Sequence, residues 1–193
     1  MKIFSQNNEQ DIIVNYFKGF TGKFLDLGAY DGVTFSNTYA LALSGWRGVA
    51  VEGSPSVFID LKKNVKGLPI ELCQVVITHS KEDLVTWHDN NQATATYVEA
   101  NVVKWQRETP FSTMTIMTCK VDRLIELYGT AFDFVNIDIE GGSVDIFKTL
   151  IKLMPSVKLW CVEHDNRINE IKNALPKAKI LLYNAENVIL ATN

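Results

Sequence analysis

Ionisable and small residues gather at four places in the 193-residue chain, each directly behind a short apolar run. The first is Asp26-Leu27-Gly28-Ala29-Tyr30-Asp31-Gly32, behind Lys23-Phe24-Leu25, and the second is Glu52-Gly53-Ser54-Pro55, behind Gly48-Val49-Ala50-Val51. The third is Asp138-Ile139-Glu140-Gly141-Gly142, after Phe132 to Ile137, and the fourth is Glu163-His164-Asp165-Asn166, after Val157 to Val162. Short apolar runs bounded by glycine and polar residues read as strands buried on both faces. In open α/β sheets ligands bind at the carboxyl ends of such strands, where all four groups fall.

The glycine turn narrows the ligand. Gly28 and Gly32 allow positive φ and let a ligand approach the backbone. Their spacing is not the G-x-G-x-x-G that seats a pyrophosphate on a helix N-terminus, which disfavours a nucleotide-dependent oxidoreductase. Asp26, two residues before Gly28, would repel a pyrophosphate and suits a ligand with positive charge, such as the ammonium and sulfonium of S-adenosylmethionine. Glu52, at the tip of the second strand, offers two oxygens to the two hydroxyls of a ribose. Val76 and Ile77, ending a third strand expected over Ile70 to Ile77, fall where an adenine ring would lie, and equally suit the core. Asp138 and Glu140, at alternate positions of an extended segment, point the same way. A weakly nucleophilic acceptor hydroxyl needs a base. His164, titrating near neutrality, is the first candidate, with Glu163, Asp138 or Glu140 to orient it.

These groups need a scaffold. Residues 1–22 are expected to form a helical cap whose amphipathic helix, with Ile12, Ile13, Val14, Tyr16 and Phe17, starts at a Ser5 or Asn8 cap and stops at Gly19 and Gly22. Further helices are predicted over Ala40 to Leu43, Ser56 to Asn64, Val121 to Gly129, Val144 to Met154 and Ile168 to Leu175. Residues 79–118 break the alternation of strand and helix. Leu84 to His88 and Met114 to Thr118 read as strands around a polar loop, a candidate lid or recognition insertion in which His88 and Trp105 are possible contacts. Ala178 to Tyr183 and Val188 to Ala191 read as a closing antiparallel hairpin.

Taken together, the stretches resemble a known family. Asp-x-Gly-x-x-x-Gly looks like motif I of the Rossmann-like class I methyltransferases. Ser5 to Asp11, Phe24 to Tyr39, Gly45-Trp46-Arg47-Gly48 through Glu52, Val121-Asp122-Arg123-Leu124 and Asp138-Ile139-Glu140-Gly141 together resemble the FkbM-type methyltransferases. The resemblance implies one α/β domain over 1–193, with a mostly parallel seven-stranded sheet, helices on both faces and a C-terminal antiparallel hairpin. It implies S-adenosylmethionine held by Asp26, Gly28, Ala29, Gly32, Asn37, Glu52, Gly53, Val76, Ile77 and Asp138, with Asp138, Glu140, Glu163 and His164 as the catalytic rim. It also implies O-methylation of a small hydroxylated acceptor such as a sugar or natural product. The chain departs from the family pattern at Gly142-Ser143, where a second Glu is usual. Asp138 with Asp165 and Asn166 is similar to the magnesium set of catechol-type O-methyltransferases, a less favoured variant in which a divalent cation acidifies the acceptor.

Composition bounds the rest. With 47% hydrophobic and 21% charged residues the chain is ordinary for a globular fold. A formal charge of -3 gives no general attraction to nucleic acid or to an anionic membrane. Lys62, Lys63 and Lys66 read as a solvated helix face. No apolar run approaches the ~18 residues of a membrane span. Cys73, Cys119 and Cys161 form no C-x-x-C pair and read as buried free thiols, so a reducing, cytoplasmic setting is expected. Nothing in the sequence specifies an oligomeric state. The competing reading from another class is a non-catalytic cofactor-binding module, against which the carboxylate-rich strand tips argue.

Overall fold

The computed structural model describes residues 2–79, 83–107 and 110–192. The chain runs through α1 (Glu9–Tyr16), β1 (Lys23–Leu27), α2 (Tyr39–Leu43), β2 (Arg47–Glu52), α3 (Pro55–Asn64), β3 (Ile70–Gln74) and β4 (Val76–Thr78). It continues through β5 (Leu84–Asp89), α4 (Glu99–Trp105), β6 (Ser112–Lys120), α5 (Val121–Tyr128), β7 (Phe134–Ile137) and α6 (Ser143–Leu153). Last come β8 (Leu159–Glu163), α7 (Ile168–Ala174), β9 (Lys179–Tyr183) and β10 (Asn187–Ala191).

Among the described residues seven strands form one sheet in the order β3-β2-β1-β7-β8-β10-β9. β3, β2, β1, β7 and β8 are mutually parallel, and β10 lies antiparallel between β8 and β9. The strands are apolar on both faces because helices cover both. Leu25, Leu27, Val49, Val51, Val135, Ile137, Trp160 and Val162 pack with α5, α6 and α7 on one side. Their neighbours Phe24, Phe134, Leu159 and Cys161 pack with Ile13 of α1, Phe17 just past it, Leu41 of α2 and Trp46 on the other. Ala50 meets Leu61 and Val65 at α3, a helix that starts with Ser54 as N-cap and Pro55 in its first turn.

The structure corrects several expectations. The third strand does not run from Ile70 to Ile77. It ends at Gln74, and Val76–Thr78 leaves the main sheet to pair in parallel with β6. The result is a second, three-stranded sheet, β4-β6-β5, in the region expected as an insertion; residues 80–82 and 108–109 of that region lie outside the described residues. The stretch before β6 also holds a helix, α4, not foreseen in the sequence. At α1 neither expected cap forms in the usual way. Asn8 makes no side-chain cap, while Ser5 Oγ accepts the Gln10 N–H at 3.2 Å. Of the thiols only Cys161 is buried; Cys73 and Cys119 are half-buried, and all three are free. Lys62, Lys63 and Lys66 are exposed as expected. No helix of the described residues is long and apolar enough to cross a membrane.

Strand order reverses between β1 and β7, so the tips of these neighbours diverge into connections on opposite sides and leave a crevice. Gly28 is required there. It sits at φ +84°, and a Cβ on it would stand 1.7 Å from the Asp138 carbonyl oxygen. Gly28→Ala should therefore cost on the order of 2–4 kcal/mol, from left-handed strain plus displacement of backbone, measurable as a lowered urea midpoint.

Candidate active site

A cavity of about 230 Å³ opens over the carboxyl ends of β1, β2, β7 and β8. Of the residues expected to bind a cofactor, Asp26, Gly28, Ala29, Asn37, Glu52, Gly53, Val76, Ile77 and Asp138 all line it. Gly32 does not. It holds φ +78° with its Cβ direction facing Leu61 and Val65, so its glycine serves the packing of α3.

Asp26 is 2% exposed and bonded on both oxygens. Thr38 Oγ1 donates to Oδ2 at 2.6 Å and Asn136 Nδ2 to Oδ1 at 2.8 Å. Asn37 Nδ2 donates to Asn136 Oδ1 at 3.0 Å, while the Asn37 Oδ1, buried in the cavity wall, has no partner among the described residues. Burial pushes the Asp26 carboxyl up despite its two donors.

Glu52 crosses the base of the glycine turn. Its Oε2 accepts the Tyr30 N–H at 2.9 Å and its Oε1 the Ser54 N–H at 2.7 Å. Burial raises it to about 7, against the lowering pull of these backbone donors. Ser54 Oγ donates to Asp89 Oδ2 at 2.7 Å, tying the second sheet to the start of α3. Past Gly53 the wall is apolar, where Val76 and the Trp87 ring lie against the glycine.

On the far side three carboxylates converge. Asp138, Glu140 and Glu163 each place an oxygen within 4.8 Å of the others. The alternate-position expectation for Asp138 and Glu140 gives the right meeting but the wrong backbone, because Glu140 is left-handed at φ +49°. Burial, then mutual repulsion, drives Asp138 and Glu140 up to about 8 and Glu163 well above the usual carboxylate range. Ser143 Oγ donates to Glu163 Oε2 at 2.9 Å, so the residue standing where a second Glu is usual supports the tip of β8 instead.

His164 is not part of the cavity lining. It is 3% exposed, and its Nδ1 accepts the Asn166 backbone N–H at 3.1 Å. A backbone N–H can only donate, so the ring proton sits on Nε2, which donates to the Asn184 carbonyl at 3.1 Å. Both nitrogens are committed to backbone, and the expected base role for His164 is corrected to a structural one. Asp165 and Asn166, the other members of the magnesium-like set, hold left-handed φ of 45° and 59° and also stand outside the lining.

The region beyond β4 supplies residues the sequence left unassigned. Trp87, Ala95, Tyr97 and Lys104 line the cavity, as does Trp105. Asn101, Lys104 and Trp105 follow i, i+3, i+4 spacing, a helical signal that lies beyond the polar stretch Asp89 to Thr96. His88 instead turns away to Glu99, Nε2 to Oε2 at 3.4 Å. Gln6 and Glu186 meet across the mouth at 3.1 Å. Both segments are pinned by the fully buried Glu9, whose Oε1 accepts Asn184 Nδ2 at 2.7 Å and Asn187 Nδ2 at 3.3 Å.

The raised carboxyls make stability fall with pH. Between the ordinary range near 4.5 and the folded values of about 7 to 8, the folded chain binds more protons than the unfolded one, so stability is lost as pH rises. The ligand-free chain should melt lower at pH 8.5 than at pH 5.5, with Glu52→Gln recovering roughly 1–3 kcal/mol of the difference in calorimetry.

Comparison with known proteins places the arrangement. No curated protein sequence matches the chain significantly. Solved structures do. A monomeric WbdD shares 12% identity at TM-score 0.55, over 98% of this chain and 42% of that one, so this chain spans less than half of that protein. Precorrin-6y C5,15-methyltransferase from Geobacter metallireducens shares 12% at TM-score 0.53, over 100% and 92%. A ribosomal protein L11 methylase from Lactobacillus delbrueckii subsp. bulgaricus shares 14% at TM-score 0.50, over 95% and 75%. At such identities the likeness is one of fold. The methyltransferase FkbM domain matches residues 26–185, from Asp26 at the glycine turn to Ala185 before β10. With its sheet order and strand tips those of a methyltransferase fold, the chain belongs to the FkbM methyltransferase family.

Proposed function

We propose that the chain transfers a methyl group from S-adenosylmethionine to a hydroxyl of a small, sugar-like or natural-product-like acceptor. The observation that carries this reading is the concentration of carboxyl groups in the cavity. Asp26, Glu52, Asp138, Glu140, Glu163 and Glu186 line it against Lys104, the one lining cation among the described residues. Such a lining favours a cationic ligand over a phosphate, and its oxygens suit O–H donors.

The residues present fit the cofactor. Each Glu52 oxygen uses one lone pair on a backbone N–H, which leaves acceptor capacity for two ribose hydroxyls. The unpartnered Asn37 Oδ1 awaits a donor. Val76, Ile77 and Trp87 offer an apolar wall for adenine, and Gly28 with Ala29 an approachable backbone. When bound, S-adenosylmethionine supplies an electrophilic methyl carbon on a sulfonium.

The chain's own part is alignment and proton removal. Holding an acceptor in line is worth several kcal/mol, up to about 7–11 for ideal geometry. The base falls to the Asp138–Glu163 pair, since His164 has no free nitrogen. With Ser143 fixing Glu163 Oε2, the rest of the pair can take the hydroxyl proton. Gln6, Tyr97, Lys104 and Trp105, which line the cavity, belong to the acceptor side in this reading.

Calorimetric titration of S-adenosylmethionine and S-adenosylhomocysteine, repeated with magnesium, tests the cofactor site. Saturable binding is expected, weakened about 10- to 100-fold by Glu52→Ala; no binding by a folded wild-type sample would remove the reading. Because the base must first lose a proton held by burial and repulsion, kcat/KM with an accepted hydroxyl substrate should climb with pH through about 8. Asp138→Asn and Glu163→Gln should each lower kcat about 10²- to 10⁴-fold.

A further inference from the structure

Glu140 has the geometry of a fastener. Its Oε2 accepts two side-chain N–H groups from a single helix, Asn101 Nδ2 at 3.2 Å and Trp105 Nε1 at 3.3 Å, both on α4. Its backbone carbonyl accepts Thr96 Oγ1 at 2.8 Å, and the same Thr96 oxygen accepts the Val98 N–H that leads into α4. The left-handed backbone at Glu140 turns both its carbonyl and its carboxylate toward this helix. The next two glycines keep the surface low enough for α4 to seat. A Cβ on Gly141 would meet Asn101 Nδ2 at 3.0 Å and Val98 Cγ2 at 3.2 Å, and one on Gly142 would meet the Tyr97 hydroxyl at 3.0 Å.

Among the described residues α4 has few other holds. Val102 is its buried apolar residue, and Glu99 reaches His88 from a largely exposed position. What the helix brings to the cavity is Lys104 and Trp105, with the Lys104 ammonium 4.3 Å from the indole centre. We infer that Glu140 is a positioning residue, the latch that seats α4 over the cavity and so builds the acceptor wall, rather than a group that exchanges a proton with the acceptor. The work is to accept two N–H bonds, which a neutral carbonyl oxygen also does. A glutamine oxygen can therefore replace it, whereas a base cannot be so replaced.

The test is amide hydrogen exchange by mass spectrometry on wild type, Glu140→Gln, Glu140→Ala and Trp105→Phe. Peptides over 96–105 should exchange about tenfold faster in Glu140→Ala and Trp105→Phe, stay at the wild-type rate in Glu140→Gln, and leave β1 and β7 unchanged. Trp105→Phe keeps a ring while removing the donor, so it decides the matter from the other side should Glu140→Ala fail to fold. The kinetic arm rests on the methyltransferase reading: Glu140→Ala should raise the acceptor KM more than it lowers kcat, and Glu140→Gln should restore it. Unchanged exchange over 96–105 in Glu140→Ala and Trp105→Phe overturns the latch. So does a Glu140→Gln that loses kcat as fully as Glu140→Ala while α4 stays protected. The exchange arm needs no turnover, so a failed cofactor titration and a failed latch are told apart.

Discussion

A carboxylate buried in the middle of the sheet, Asp26, fixes where everything else at the site can be. Unpaired, it would cost several kcal/mol. It is instead bonded across the strand pair to Asn136 of β7 and forward to Thr38 beyond the glycine turn. Asn136 in turn holds Asn37. The polar lattice sits on the face otherwise packed by Phe24, Phe134 and Cys161, so only one register of β1 against β7 satisfies it. That register brings the Asp138 carbonyl onto Gly28 and aims the two strand tips into one crevice.

From this anchor the site acquires an electrostatic character the ligand-free chain sustains by binding protons. Asp26, Glu52, Asp138, Glu140 and Glu163 all stand above their ordinary range, burial being the first cause in each. Sites that concentrate like charge give up stability for function, and here the folded chain recovers part of it by staying partly protonated. A cationic ligand would relieve the same strain directly. By contrast, the well-paired charges lie away from the cavity. Arg167 joins Asp145 and Glu170 at α6 and α7, a packing contact with no part in the crevice.

The sequence made the centre of the main sheet legible because β1, β2, β7 and β8 are short apolar runs that end in or run into glycine or acid, while α3 starts at the Ser54 cap and α5 stops at Gly129. Glu52 and the Asp138 and Glu163 tips were readable for the same reason: position after a strand predicts position in the crevice. Three things were not. Val76–Thr78 is as apolar as Ile70–Gln74, and only tertiary pairing with β6 separates them. His164 has the right chemistry at the right tip, yet side-chain direction and two backbone partners remove it, and neither is written in residue type. α4 is only seven residues long, with its helical signal carried by the side chains that face Glu140.

The placement of β10 between β8 and β9 has a consequence for the order of folding. β9 touches the sheet only through β10, and β8 has β10 as its outer neighbour, so the edge from β8 outward closes after the last of these strands is in hand. Glu186, in the connection between β9 and β10, takes its place at the cavity as that edge closes. Glu9 meets Asn184 across a sequence separation of 175 residues, the kind of distant contact that slows folding and forms late. The glycine turn divides between the two kinds of contact, since β1 and β2 are neighbours in sequence as well as in the sheet, while Asp26 reaches Asn136 across 110 residues.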